Sequence, residues 1–196
     1  NDDFTNKTLL KFGIRSYKNS INPNYPMMAW DPKGTRIAVL YKKSGTLNLF
    51  VYDVIDRVKK YKIDLTKQFD QVQDMKYMLN SNTLLLSAVK NGHTDIFTLE
   101  LQSEKIRQIT NDVYDDLDAS YVAFPNKQGI IFSSNRPTAT AKTGDTVLPS
   151  DHRYNIFLIT DFGDKPELNQ ITQLSSLKYG NARLPMQYNQ NHFTFV

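Results

Sequence analysis

Trp30-Asp31-Pro32-Lys33-Gly34-Thr35-Arg36-Ile37-Ala38-Val39 decides the fold, because the chain writes this stretch again twice in degenerate form. Tyr77-Met78-Leu79-Asn80-Ser81-Asn82-Thr83-Leu84-Leu85-Leu86 aligns with it, and Phe124-Pro125-Asn126-Lys127-Gln128-Gly129-Ile130-Ile131-Phe132-Ser133 aligns with both. Trp30 and Tyr77 stand 47 positions apart, and Tyr77 and Phe124 stand 47 apart again. Asn48-Leu49-Phe50-Val51, Asp95-Ile96-Phe97-Thr98 and Asn155-Ile156-Phe157-Leu158 each set a short polar residue before an apolar pair. Asn48 to Asp95 is 47 positions, whereas Asp95 to Asn155 is 60, so the third copy carries 13 extra residues between Arg136 and Arg153. A fixed period near ~40 to 50 residues marks supersecondary units that bury their faces on one another.

The content of each unit is strand. Ile37 to Tyr41, Leu47 to Val54, Thr83 to Val89, Asp95 to Leu101, Gly129 to Ser133 and Asn155 to Thr160 are short apolar or alternating runs. Pro32-Lys33-Gly34, Ser44-Gly45, Asn91-Gly92 and Pro125-Asn126 punctuate them with turn chemistry, and Asn91-Gly92 is a hairpin signal. No sustained helical stripe occurs; Leu65 to Met78, the best candidate, is broken by the polar stretch Asp70 to Asp74. In the second unit Val72 to Tyr77, Thr83 to Val89, Asp95 to Leu101 and Lys105 to Thr110 read as four strands, and Asn169-Gln170-Ile171-Thr172 echoes Arg107-Gln108-Ile109-Thr110 in the third. A lone four-stranded sheet cannot cover both its faces, so the copies must stack, and stacking around an axis makes an all-β propeller.

Composition narrows the class. The net charge is +4 with both signs mixed along the chain, and there is no cysteine, which removes disulfide and thiolate chemistry. No run approaches the ~18 apolar residues of a membrane span. Arg57-Val58-Lys59-Lys60-Tyr61-Lys62 is the one basic cluster. It reads as a solvated outer strand, where lysine discourages edge pairing, rather than as a nucleic-acid patch. Asn1-Asp2-Asp3 carries neither an initiating Met nor a leader pattern, and the apolar run at His192 to Val196 has the look of an excerpt from a longer polypeptide.

Gln108-Ile109-Thr110-Asn111-Asp112, Asp116-Leu117-Asp118-Ala119-Ser120, Phe124-Pro125-Asn126, Ile130-Ile131-Phe132-Ser133-Ser134-Asn135-Arg136 and Asn155-Ile156-Phe157, in that order, resemble the WD-like repeat of TolB-type propellers. Trp30-Asp31-Pro32-Lys33-Gly34 is similar to that family's Trp-Ser-Pro-Asp-Gly element, and the resemblance runs from Asn24 to Val196. The chain departs from the pattern at Asn80-Ser81-Asn82, at the shorter Tyr188-Asn189-Gln190-Asn191-His192, and at Pro137 to Asp151, where the family has a tight hairpin. The expected layout is the end of a preceding blade and a linker over 1–23, blades over 24–69, 70–115 and 116–178, an insertion loop over 137–153, and the start of a further blade over 179–196. Thr8 to Ile14 is the expected strand of the preceding blade. The resemblance implies a wheel that binds peptide segments of partner proteins, in the periplasm or at a bacterial cell surface. Related propellers gate peptidases whose catalytic domain would lie outside this chain, and a glycan-binding propeller is a third possibility. Further blades, from the same polypeptide or from an assembly, would close the ring.

The residues themselves argue against catalysis. There is no Gly-x-Ser-x-Gly, Ser133-Ser134 falls at a strand end in register with the repeat, and His93, His152 and His192 are scattered without paired-ligand spacing. No cofactor motif is present. Asp112, Asp115, Asp116 and Asp118 form the sharpest local cluster. Four carboxylates could hold Ca²⁺, yet the spacing does not fit a calcium loop, and such residues also satisfy backbone N–H groups. The favoured reading is a partner-binding rim made of Tyr114, Asp115, Asp116, Asp118, Arg136, Arg153 and Tyr154, with the arginines forking to carboxylates and the tyrosines as anchors. Trp30, Tyr77 and Phe124 are expected to be core between blades.

Overall fold

A computed structural model describes residues 8–9, 24–125, 127–141, 153–166 and 169–196. Three four-stranded antiparallel sheets follow one another in strict sequence order. The first holds β1 (Met27–Trp30), β2 (Arg36–Lys43), β3 (Thr46–Asp53) and β4 (Val58–Asp64); the second holds β5 (Gln71–Tyr77), β6 (Thr83–Lys90), β7 (His93–Glu100) and β8 (Ile106–Gln108). The third holds β9 (Asp116–Phe124), β10 (Lys127–Ser134), β11 (Asn155–Ile159) and β12 (Ile171–Gln173), and β13 (Met186–Gln187) with β14 (Phe193–Thr194) makes a short hairpin after it. The expected succession of four-stranded antiparallel sheets is the observed one, and a two-stranded hairpin follows the third.

Turn chemistry sets the hairpins. Ser44 and Gly45 both have positive φ, as do Asn91 and Gly92, so each pair is a two-residue turn whose twist matches the strands it joins. His93 follows the Asn91-Gly92 turn directly, opening β7 opposite Lys90. Strand β8 is shorter than the expected Lys105 to Thr110, because the Ile109 and Thr110 amides both fold back onto the Ile96 carbonyl. At the opposite end, buried Asp31 accepts hydrogen bonds from the Thr35 and Arg36 amides at 2.7 and 2.8 Å. Ser81 Oγ of the next blade donates to the same carboxylate at 2.6 Å, so this turn also ties blade to blade.

Side-chain alternation gives every sheet two apolar faces, and they pack in series. Ala38, Leu40, Leu49 and Val51 of the first sheet meet Leu84, Leu86, Phe97 and Leu99 of the second. The far face of the second sheet, with Leu85 and Ile96, meets Ala119, Ile130, Phe132 and Phe157 of the third. The far face of the third, with Val122, Ile131, Ile156 and Leu158, is covered by Leu174, Leu177, Ala182 and Phe193. Each fully buried Leu or Phe contributes about 1.5–3 kcal/mol, so the inter-blade layers dominate the stabilisation. The first strands β1, β5, β9 and β13 are successive neighbours, which places them innermost around a common axis.

The repeat alignment needs one correction. Trp30 pairs with Ile37 and Tyr77 with Leu84, but in the third sheet Ile130 has that role and its partner is Tyr121, not Phe124. Phe124 pairs with Lys127 across a two-residue turn. The shorter turn is offset by a longer inner strand, so the 47-residue spacing survives while the side-chain register slips. Because side chains alternate, Phe124 faces the fourth repeat rather than the second blade. Trp30 is also not core as expected: it is 57% exposed. It shares a face with Ile37, and no described sheet packs there, although Leu9 touches the cluster of Ile37, Val39, Phe50 and Tyr52. Tyr77 does pack against the inter-blade core. Most of Thr8 to Ile14, and residues 142–152 of the insertion, lie outside the described residues.

Gly129 is required by close approach. A Cβ there would stand 2.2 Å from the Ile159 carbonyl oxygen. Gly129→Ala is expected to lower stability by about 1–3 kcal/mol, the usual cost of overpacking, read as a reduced Tm by circular dichroism with the β spectrum retained.

Candidate functional site

Antiparallel alternation brings one set of connections to a common end of the blades: the β8–β9 crossing, the β10–β11 loop and the start of β7 and β11. At that end Arg136 follows β10 and turns inward until it is 1% exposed. Its Nη2 donates to Asp116 Oδ1 and Oδ2 at 2.9 and 2.8 Å and to Asp112 Oδ2 at 2.9 Å. Its Nε donates to Ser134 Oγ at 3.0 Å. The rings of Tyr114, Phe132 and Phe157 surround the guanidinium at 5.5, 5.5 and 5.6 Å. Such aromatic faces favour a cation stripped of water. Nη1 is buried and, among the described residues, has no hydrogen-bond partner.

A third carboxylate joins from the neighbouring blade. Oxygens of Asp95, Asp112 and Asp116 all lie within 4.8 Å of one another. Asp95 accepts hydrogen bonds from Gln108 Nε2 at 3.1 Å, Thr110 Oγ1 at 3.3 Å and the Asp112 amide at 3.4 Å. In the third sheet the equivalent Asn155 Oδ1 accepts from Ser175 Oγ at 3.1 Å and the Leu177 amide at 2.8 Å. The same latch is therefore made by a neutral amide in one blade and by a carboxyl in the other. Burial, with Asp116 and Asp112 beside it, pushes the Asp95 carboxyl up to about 8. Burial and Asp116 raise Asp112 to about 6, against the pull of Arg136. Burial opposes the charge of Arg136, but Asp116 and Asp112 outweigh it and hold the guanidinium above its ordinary value.

The rim expected from sequence is largely internal. Tyr114, Asp116 and Arg136 are fully buried, so they hold the blade junction instead of presenting themselves to a partner. Asp118 is nearly buried and is forked by Arg183 through Nε and Nη2, with the Leu184 amide at 3.2 Å. Its expected arginine partner was Arg136 or Arg153; Arg183, from the fourth repeat, takes that place. Asp118 has φ 57 at an irregularity in the β9–β10 ladder, and this local twist carries its carboxylate to Arg183. Asp115 is half-buried with its amide bonded to Asn135 Oδ1 at 2.8 Å. Tyr154 is half-buried beneath Arg183, 4.8 Å from ring centre to guanidinium, and Arg153 is exposed. A Ca²⁺ site on Asp112, Asp115, Asp116 and Asp118 does not form. Only Asp112 and Asp116 converge, and the Arg136 guanidinium fills the cation position between them. Sequence reasoning missed Asp95, whose place in the repeat was visible but whose proximity to the other acids was not, and Arg183, which no pattern marked.

Beside this junction opens a cavity of about 280 Å³. Thr110, Asn111, Asp112, Arg136 and Asn169 give it polar groups, and Ile109, Ile171, Ala139, Ala141 and Pro166 give it apolar walls. Asn169 is fixed by donating Nδ2 to the Ile109 carbonyl at 2.8 Å, which bridges the outer edges of the second and third blades.

Face-to-face four-stranded sheets arranged in order around their first strands define a β-propeller. No protein-family model and no curated protein matches the sequence. Among solved structures, a protein described as TolB from Agrobacterium tumefaciens is similar at TM-score 0.52 and 14% identity over 78% of this chain and 50% of that one. The tricorn protease is similar at TM-score 0.55 and 13% identity, over 82% of this chain and 18% of that one. The chain has the TolB-like propeller fold, and it spans half the length of that TolB structure.

Two outcomes follow from the junction. Arg136→Met is expected to cost about 3–5 kcal/mol, because Asp116 and Asp112 would keep a buried charge with no counter-ion. Chemical denaturation should show that loss, and adding Asp116→Asn should recover part of it. For Asp95 the folded carboxyl titrates near 8 while the unfolded one titrates near its ordinary value of 3.8, so the native state binds more protons between those limits. That contribution is fully present at low pH and is lost as pH rises through about 8. Asp95→Asn keeps the latch without the charge. Its Tm advantage over wild type is expected to grow from pH 5 to pH 8, and a pH-independent difference would contradict the assignment.

Proposed function

We propose that this chain is a non-catalytic segment of a TolB-like propeller that recognises a protein or peptide partner at the blade end carrying the Arg136 cavity. The observation that supports this most is the cavity itself, which combines apolar walls with several fixed polar groups. Several polar groups at this end of the blades are already committed to structure: Ser134 to Arg136, Thr110 to Asp95, and Asp118 to Arg183. Among the described residues, these commitments favour binding over nucleophilic catalysis at this end. The similarity in fold to TolB favours the periplasm or the bacterial cell surface as the setting.

Further blades, from the same polypeptide or an assembly, are expected to complete the ring. Trp30 and Met28 stand exposed on the face of the first sheet against which no described sheet packs, and Met186 and Tyr188 stand exposed on the last hairpin. Large apolar side chains grouped on a sheet face are usually covered. A second reading, a propeller that gates a peptidase domain, is favoured by the similarity in fold to tricorn protease.

Photo-crosslinking from the exposed positions Val113 and Arg153 of the full native polypeptide in intact cells tests the assignment. Discrete adducts with another protein, absent when the crosslinker replaces Lys62 on the outer strand β4, are the expected result. Adducts only to a catalytic domain of the same polypeptide would replace recognition by gating, and adducts indistinguishable from the Lys62 control would overturn both.

A further inference from the structure

We propose that Asp95, Asp112, Asp116 and Arg136 form a pH-sensitive latch, which fixes the β8–β9 crossing while Asp95 carries a proton and releases it when that proton leaves. The crossing carries exposed Val113 at the blade end assigned above to a partner, so control of recognition by the latch rests on that reading. Position in the repeat is the first observation. The equivalents of Asp95 are Asn48 and Asn155, and Asn155 holds its loop as a neutral amide, accepting from Ser175 Oγ and the Leu177 amide. Asp95 captures Thr110 Oγ1 and the Asp112 amide in the same way, and a carboxyl matches an uncharged amide only while it is protonated.

Charge is the second. Oxygens of Asp95, Asp112 and Asp116 lie within 4.8 Å of one another, and the described cation among them is Arg136. Asp116 comes from the start of β9, Asp112 from the crossing and Arg136 from the exit of β10, while β8 contributes the neutral Gln108 and β6 the Ala88 paired with Asp95. Arg136 donates through Nη2 to Asp112 and Asp116, whereas the described donors to Asp95 are neutral. A third negative charge in this buried cluster has no cation of its own, and the proton takes that place.

The third is where the strain of deprotonation goes. Asp95 belongs to β7, which pairs with β6 from His93 to Glu100, whereas Asp112 lies on a connection outside the strands. Repulsion between the two carboxylates therefore displaces the connection rather than the strand. The bonds at stake are the Asp112 amide on Asp95 at 3.4 Å, the Tyr114 amide on Asp112 at 3.0 Å and the Asp115 amide on Asn135 at 2.8 Å. With its carboxyl raised to about 8 in the closed latch, Asp95 favours closure most at low pH, and that contribution is lost as pH rises to this value and is level above it. Asp112, raised to about 6, has given up its proton earlier, so the interval between the two belongs to Asp95.

Hydrogen exchange of the full native polypeptide, read by mass spectrometry on peptides covering 109–115, tests the latch, with protection factors dividing out the base catalysis of exchange itself. Protection of these amides is expected to fall at least about fivefold from pH 6.5 to pH 8.5 and to level off above about pH 9, while β2 and β3 keep theirs. Asp95→Asn, which gives the second blade the amide of the third, should remove the fall. Flat protection in the wild type, a fall shared by β2 and β3, or an equal fall in Asp95→Asn would overturn the proposal. The comparison of the crossing with β2 and β3 in the wild type stands even if the variant does not fold. Over the same pH series the yield of adducts from Val113 should change in the wild type and stay constant in Asp95→Asn. Constant adducts in a wild type whose crossing opens would overturn control of recognition and leave the recognition reading in place. Absence of adducts at every pH, with the crossing opening as expected, would remove the recognition reading and support the latch alone.

Discussion

The buried guanidinium of Arg136 is the constraint on which the blade junction depends. Two carboxylates from the β8–β9 crossing, Asp112 and Asp116, converge on one nitrogen, and a third, Asp95, arrives from β7. Three like charges within a few ångströms in a buried setting could not coexist ionised without a cation. Arg136 supplies it, and three aromatic rings shield it from water. Asp95 is left as the group that yields its charge, since the pull of one guanidinium is already divided between its neighbours. The arrangement stitches the end of the second blade, the first strand of the third and the exit of β10 into one unit.

Beyond that unit the architecture is propagated by repetition of a few local devices. A short polar residue at the start of the third strand captures the loop that leaves the outer strand, seen at Asp95 with Thr110 and at Asn155 with Ser175. The Leu47 amide bonded to Thr66 Oγ1 at 2.8 Å is the first blade's version of the link. Each such latch satisfies backbone groups that stacking would otherwise bury unpaired. Ties between blades are made by ions and single hydroxyls: Ser81 to Asp31, Lys76 to Ser120 at 3.2 Å, and Arg183 to Asp118. Apolar layers supply most of the stabilisation, and these polar ties fix the rotation of one sheet against the next.

The repeat was legible because strand, turn and latch are local: the 47-residue period, the paired turns at Ser44-Gly45 and Asn91-Gly92, and the recurring phenylalanines Phe50, Phe97 and Phe157 all keep the same face. The Phe124 register was not legible. The β9–β10 turn is shorter and β9 longer than their counterparts in the second sheet, so an equal spacing concealed a change of face. The acidic cluster was read as an accessible rim, and its acidity was right, but accessibility is a property of what packs around a loop.

Sequence by itself determined the class of fold, the order of the four-stranded units, the hairpin turns at Ser44-Gly45 and Asn91-Gly92, and the presence of acids and Arg136 in one stretch of chain. These follow from periodicity and backbone preference, which act over a few residues. Tertiary structure alone decided that Arg136 turns inward, that Asp95 joins Asp112 and Asp116, that Arg183 and not Arg136 holds Asp118, and that a cavity opens beside them. Those outcomes depend on burial and on charges brought together from separate blades, and Coulombic and desolvation energies are set by distance in space rather than by distance along the chain.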